Sequence, residues 1–270
     1  MAANDPIIME KMANYAKCEF KIPKEEGSYV DGSNYAIAAI EEIVAEAIRS
    51  GRNKIFINTN LKLGLPMENI NKVAGPFVEA WAAEIFTEVV DDKANRWKLV
   101  NVETKERLYM ADVILQFKRD KVPVITAEVD VKATAVDIKE SGKSTNITSY
   151  ERIRSAYVED PDYLFVILSL KHKVYSTRDE KTKMMNGIME VVGHKAYDLK
   201  MISDSDISYN PALGTGQIQI RDIHYITLTT RTTWDFCQLL DRKYLNSSRR
   251  TFKEWFAMAA SSGWIKNEGP

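Results

Sequence analysis

The sequence predicts an α/β domain built on a mixed sheet with helices on both sides. Three observations predict it: a meander of short strands between residues 96 and 134, a nearly continuous apolar run at 163–170, and helical periodicity before and after them. Residues 34–50 carry Ile37, Ile40, Val44, Ala47 and Ile48 at helical spacing, with Ser33 as N-cap and Gly51 as C-cap. A second helix starts at Gly75-Pro76, with Pro76 near the first helical position and Phe77, Trp81, Ile85, Phe86 and Val89 as its buried stripe. The period then changes. Segments 96–102, 108–117 and 122–134 read as strands joined by short charged links, the pattern of an antiparallel meander. Residues 147–158 return to helical spacing and stop at Pro161. The run 163–170 fits a strand buried on both faces. Segments 197–202 and 217–229 are further strands, and 232–244 and 251–260 are closing helices.

Composition narrows the class. The chain has 270 residues, 45% hydrophobic and 28% charged, ordinary for a globular protein with a core. No Pro/Gly/Ser-rich linker divides it, so residues 1–270 read as a single domain. Cys18 and Cys237 have no Cys or His neighbour at metal-ligand spacing, and two cysteines make no disulfide framework, which points to a reducing cytoplasm. No apolar run reaches the roughly 18 residues of a membrane span, and residues 1–17 lack the apolar core of a signal peptide. The expectation is a cytoplasmic protein with no membrane partner. His172, His194 and His224 are scattered and support no zinc site or catalytic pair, and no G-x-x-x-x-G-K-[ST] loop for ATP is present. The formal net charge is −1, so a nucleic-acid-binding role requires positive charge concentrated locally.

One constellation carries chemistry. In Ala127-Glu128-Val129-Asp130-Val131-Lys132-Ala133, the alternation of a strand puts Glu128, Asp130 and Lys132 on one face and the apolar residues on the other. The preceding strand holds Asp112 alone among apolar residues, where an unpartnered acid is costly. A hairpin between the two strands brings Asp112 near Asp130. Converging carboxylates repel unless a cation lies between them, and oxygen ligands favour a hard ion such as Mg²⁺. Lys132, on the same face, can contact phosphate or activated water. Taken alone, an E-x-D-x-K run is more often a solvated face with cross-strand ion pairs.

Asp112 followed by Asp130-Val131-Lys132 resembles the PD-(D/E)xK nuclease motif, with Ala111 in place of the motif's proline, a departure shared by many members. The likeness extends further. Ala74-Gly75-Pro76-Phe77-Val78-Glu79 is similar to the acidic helix before the active site in restriction endonucleases of the EcoRV and HincII type, and Asp130-Val131-Lys132-Ala133-Thr134 to their metal-binding strand. Residues 214–224 resemble their recognition-loop region, and Thr230-Arg231 with Trp234 and Leu239-Leu240 their closing helix. The resemblance covers a nuclease core at 74–245. It leaves an N-terminal helical part at 1–70 as a candidate dimerisation region. It implies a restriction-endonuclease-like core with a mixed five- or six-stranded sheet flanked by helices. It implies a type II enzyme, a homodimer, that uses Mg²⁺ to cut both strands of duplex DNA at a short palindrome. The ends would be 5′-phosphate and 3′-hydroxyl, and a cognate DNA methyltransferase its functional pair. Carried over, Asp112 and Asp130 bind the metal with the carbonyl of Val131, and Lys132 positions or activates the attacking water. Glu79 is then an accessory catalytic acid, or simply an acid favoured by the helix dipole. Glu128 is a third metal-site acid or a surface neighbour.

Candidate DNA contacts fall in two places. Gln217, Gln219 and Arg221 alternate on one strand face after a Gly-rich turn, suited to bidentate reading of adenine and guanine or to a polar solvated edge. Lys139, Lys143, Ser144, Thr145 and Asn146 directly follow the catalytic strand and can contact backbone or bases, or serve as a connector. Ser248-Arg249-Arg250-Thr251 and Lys253 are further phosphate candidates or an ordinary helix-cap surface. Competing readings are a repair or junction-resolving nuclease on the same fold and a non-catalytic DNA-binding protein.

Overall fold

The fold is taken from a computed structural model that describes residues 5–63, 70–106 and 109–266. The chain divides into two compact units: a sheet unit of Val30–Lys143 and Leu164–Leu199, and a helical unit of Met1–Tyr29, Ser144–Tyr163 and Lys200–Pro270.

The sheet unit is built on six strands in the order β1-β7-β6-β4-β3-β2. These are β1 (Lys54–Ile57), β2 (Leu99–Thr104), β3 (Val113–Phe117), β4 (Ile125–Ala135), β6 (Leu164–Arg178) and β7 (Met185–Asp198). Every pairing is antiparallel except β4 with β6, so the sheet is mixed, as expected. The meander β2-β3-β4 is present, but its strands start later than expected: β2 at Leu99, β4 at Ile125, and β3 at Val113, leaving Asp112 just outside it. Leu108, the expected start of that strand, lies outside the described residues. Leu164 to Leu170 of β6 are buried without interruption, as the apolar run requires. The strand then continues into a long polar hairpin with β7, through a bulge at Lys171/His172.

Helix α2 (Tyr29–Arg49) buries Ala36, Ile40, Ile43, Val44 and Ala47 in one stripe. It starts before the expected cap. Ser33 is therefore an interior residue, and its hydroxyl donates to Asp198 Oδ2 at 2.8 Å. Gly51 ends the helix with φ +75, as a C-cap needs. Helix α3 (Ala74–Asp91) packs on β2 and β4 through Ala74, Val78, Trp81, Ala82, Ile85 and Phe86. Phe77, expected in this stripe, is 40% exposed, because the phase set by Val78, Trp81 and Ile85 turns it outward.

The helical unit combines α1 (Pro6–Tyr15), α4 (Tyr150–Glu159), α5 (Thr233–Leu245) and α6 (Phe252–Ser261) with a small sheet ordered β5-β9-β8. Its strands are β5 (Lys143–Ser149), β8 (Ile207–Asn210) and β9 (Gln217–Asp222). The helix expected from residue 147 begins at Tyr150, because Ile147 and Thr148 belong to β5. Thr232 and Thr251 cap α5 and α6 with complete capping boxes to Asp235 and Glu254.

At the centre of this unit Asp241 is fully buried. It accepts from Tyr15 Oη at 2.9 Å, Tyr150 Oη at 2.6 Å, and Arg154 Nε and Nη2 at 3.1 Å each. Trp255 Nε1 lies at 3.3 Å. One acid thus fixes α1, α4, α5 and α6. Asp241→Ala leaves a buried guanidinium without its counter-charge and is expected to cost about 3–5 kcal/mol. Equilibrium urea unfolding followed by tryptophan fluorescence measures it; a loss below about 1 kcal/mol would mean that the network adds little.

Candidate active site

The parallel pairing of β4 and β6 continues past the point where β3 ends. In the β3–β4 register the last pair is Val113 with Val129, whereas β4 stays paired with β6 to Ala135. Asp112 sits at this step. Its backbone N–H donates to Val129 O at 3.0 Å, and its carboxylate Oδ2 accepts the Val131 N–H at 2.7 Å. By the alternation of a ladder, the Val131 carbonyl points the same way as its N–H, beyond the end of β3. Asp130 and Lys132 lie on the same strand, and Lys132 Nζ donates to Asp130 Oδ1 at 2.8 Å. The structure thus joins Asp112 to Val131 and Lys132 to Asp130 at the end of β3. Asp130 is only 4% exposed, unlike a residue of a solvated strand face.

Glu79 comes from the first turns of α3. Its Oε1 lies over Gly75, 3.4 Å from where a side-chain carbon would stand there. It is half-buried, and burial raises its pKa first, with the Asp112 charge adding to the rise and Lys132 opposing it. Asp112 is also raised, mainly by burial, against the Val131 N–H and Lys132. Burial pushes Asp130 up to about 7 even with the Lys132 ammonium beside it, and Asp112 and Glu79 push in the same direction. Three acids and a lysine therefore sense one another electrostatically. Asp130 Oδ2 is buried with no hydrogen-bond partner. That orphaned oxygen, next to a second carboxylate and a strand-end carbonyl, fits a hard cation that keeps several waters and takes few protein ligands. Among the described residues no three Asp, Glu, His or Cys side chains form a closed ligand set. Glu128 is partnered by Tyr109, whose hydroxyl donates to it at 2.9 Å.

The expected DNA contacts divide between the units. In the sheet unit, Lys139 is exposed and Lys143 Nζ pairs with Glu140 at 3.1 Å. In the helical unit, Gln219 Nε2 donates to Ser144 O at 3.0 Å and Asn146 Oδ1 at 2.9 Å, tying β9 to β5. Ser144 holds φ +48, and Asn146 is exposed while Thr145 is half-buried. The amide nitrogen of Gln219 is thus already engaged, which the strand pattern could not reveal. Gln217 is half-buried and Arg221 exposed.

Arg250, a phosphate candidate from sequence, serves the protein itself. It donates to Tyr209 Oη at 2.8 Å, Pro211 O at 3.0 Å and Gly214 O at 2.7 Å. Tyr209 Oη in turn donates to Thr215 O at 2.7 Å. Gly216, at φ +92, leaves room for that ring: a side-chain carbon there would stand 2.2 Å from Tyr209 Oη. The signal that could have flagged this clamp is the Gly-rich turn itself, which needs something to hold it.

A mixed six-stranded sheet flanked by helices, with paired acids and a lysine where β4 outruns β3, is a restriction-endonuclease-like core. The family model for type II restriction endonuclease HpaI matches residues 16–263, and the chain belongs to that family. It is 54% identical to the type II restriction enzyme HpaI of Haemophilus parainfluenzae over 253 residues, covering 94% of this chain and 99% of that enzyme. The protein is a type II site-specific deoxyribonuclease with DNA as its substrate. Among the described residues no helix is long and apolar enough to cross a membrane.

The raised pKa of Asp130 has a thermodynamic consequence. Its carboxyl stays protonated in the fold up to about pH 7 but ionises in the unfolded chain near pH 4. Between these values the folded state binds more protons, so its contribution to stability falls as pH rises through that window. In chelator, Asp130→Asn is expected to raise the urea midpoint over wild type, and by more at pH 8 than at pH 5. An equal midpoint at both values would refute the buried, strained carboxylate.

Proposed function

We propose that Asp112, Asp130 and Lys132 form the hydrolytic centre of this type II restriction endonuclease. The observation that carries the proposal is the buried, unpartnered Oδ2 of Asp130 beside Asp112, with the Lys132 ammonium 2.8 Å from the other Asp130 oxygen. The cofactor is a divalent cation, and we take it to be Mg²⁺, held by Asp112, Asp130 and the Val131 carbonyl. Bound Mg²⁺ supplies Lewis-acid stabilisation of phosphate charge and acidifies the attacking water. The protein's own groups do the rest. Asp112 ties its carboxylate to the Val131 N–H and so holds its place relative to Asp130. Asp130 orients Lys132. The Lys132 ammonium donates to a phosphate oxygen or holds the attacking water, and its benefit grows as negative charge builds on the phosphoryl group. Glu79 is an accessory acid whose charge raises the site's affinity for the cation. Glu128, occupied by Tyr109, is a surface neighbour of the site.

In the same reading residues 1–270 act as one catalytic chain that works as a homodimer, each copy cutting one strand of a short palindrome and leaving 5′-phosphate and 3′-hydroxyl ends. Residues 1–70 are candidates for the dimer contact. Lys139, Lys143, Ser144, Thr145 and Asn146, with Gln217, Gln219 and Arg221, are the DNA-contacting set. The setting is the cytoplasm, alongside a methyltransferase that protects host sites.

Plasmid incubated with Mg²⁺ is expected to give discrete fragments; intact DNA or a structure-selective nick would overturn the reading. Asp112→Ala and Asp130→Ala are each expected to abolish cutting while retaining the fold by circular dichroism. Lys132→Ala should lower the single-turnover rate by about 10²–10³-fold with little change in duplex affinity in Ca²⁺. Near-wild-type cutting by any of the three removes that residue from the centre. Sedimentation with and without cognate duplex should give the mass of two chains; a single-chain mass in both cases contradicts the dimer.

A further inference from the structure

One cleft in the helical unit is lined by two guanidiniums that, among the described residues, pair with no acid. It has a volume of about 350 Å³ and runs along β8, the outermost strand of the β5-β9-β8 sheet. Its walls include Tyr209, Arg221, Lys243, Ser247, Ser248 and Arg249. Lys243 is committed: its ammonium donates to Asp204 O at 2.8 Å and pairs with the Asp204 carboxylate. Arg221 and Arg249 differ. Both are exposed, and among the described residues neither guanidinium makes a hydrogen bond or an ion pair. The acids near Arg221 form no ion pair with it and accept from neutral donors. Asp206 Oδ2 accepts from Ser203 Oγ at 2.9 Å and Thr227 N at 2.7 Å, and Asp222 Oδ1 accepts from His224 N at 3.0 Å. The contrast with Arg250 is direct, because the next residue in the chain spends its donors on the β8–β9 turn.

We propose that this cleft binds a phosphodiester of the DNA backbone, with Arg221 and Arg249 as its charged ligands and the hydroxyls of Ser247 and Ser248 beside them. Two guanidiniums lining one cleft suit a compact oxyanion with two free oxygens, which their planar forks match. They do not suit a single flat base edge. The register supports the location: Ser208 on β8 pairs with Gln219 on β9, so the cleft lies about one strand spacing, ~4.8 Å, from the amide face that ties β9 to β5. A duplex read over Gln217 and Gln219 would carry its backbone past this edge. The inference rests on the DNA-binding reading of β9 and changes one part of it: Arg221 contacts phosphate and does not read guanine.

The test is duplex binding by fluorescence anisotropy in Ca²⁺ across a salt series, for wild type, Arg221→Ala, Arg249→Ala, the double alanine variant and the double lysine variant. Each alanine substitution should lower the slope of log affinity against log salt by about 1, and the double by about 2. The affinity loss should be equal for the cognate duplex and for single-base variants. The double lysine variant should keep the wild-type slope, and thermal unfolding should be unchanged in all. An unchanged slope in the double alanine variant overturns the phosphate site. A loss by Arg221→Ala confined to the cognate duplex also overturns it, by making Arg221 a base reader. Wild-type protein that binds no duplex would bring down the parent reading together with this one, and is distinguished by the absence of any signal to compare.

Discussion

The hydrogen bond from the Val131 N–H to the Asp112 carboxylate is the constraint on which the candidate active site depends. β4 must run on beyond β3 to keep its parallel pairing with β6, and that leaves a backbone donor without a strand partner. An unmade hydrogen bond at such a position costs about 1–3 kcal/mol. Asp112 supplies the acceptor at 2.7 Å, so its carboxylate is held by the sheet and not by a mobile rotamer. Asp130 then follows from the strand's alternation, and Lys132 from the next position on the same face. The site is a by-product of one strand ending before its neighbour does.

That geometry also explains why the acids are strained. Asp130 is nearly fully buried, with one oxygen on Lys132 and the other on nothing. Burial and two neighbouring acids all favour its neutral form. A site raised in energy this way gains most from a bound cation, which relieves repulsion and desolvation together. The lysine offsets part of the cost without filling the place a cation would take.

The charges of the helical unit follow a different logic. Arg154, deep in the core, is matched by Asp241. Arg250 is spent on carbonyls of the β8–β9 turn, and Lys243 on Asp204. Within the cleft along β8 this leaves Arg221 and Arg249 as guanidiniums with no hydrogen bond or ion pair among the described residues. A chain with a net charge of −1 meets a polyanion through such local accumulation and not through its overall balance.

The candidate site residues could be placed from the sequence because they obey local rules. Asp112, Asp130 and Lys132 are fixed by strand alternation and a short hairpin, both of which leave a readable period, and the cap at Gly51 is set by its own neighbours in the chain. The strands β1, β8 and most of β7 were not legible. β1 and β8 have only four residues each, β7 breaks its apolar run with polar residues, and the partner of β1 lies far away in sequence, Lys54 opposite Glu190. The same limit applies to side chains. Sequence made Asp130 a face residue, Gln219 a free reader and Arg250 and Arg249 equivalent cations. Only the tertiary structure decided that Asp130 is buried, that Gln219 holds β5, and that Arg250 is committed while Arg249 is not. Periodicity records which way a side chain points along its own element, but burial and partnership are set by whatever the rest of the chain brings against that face.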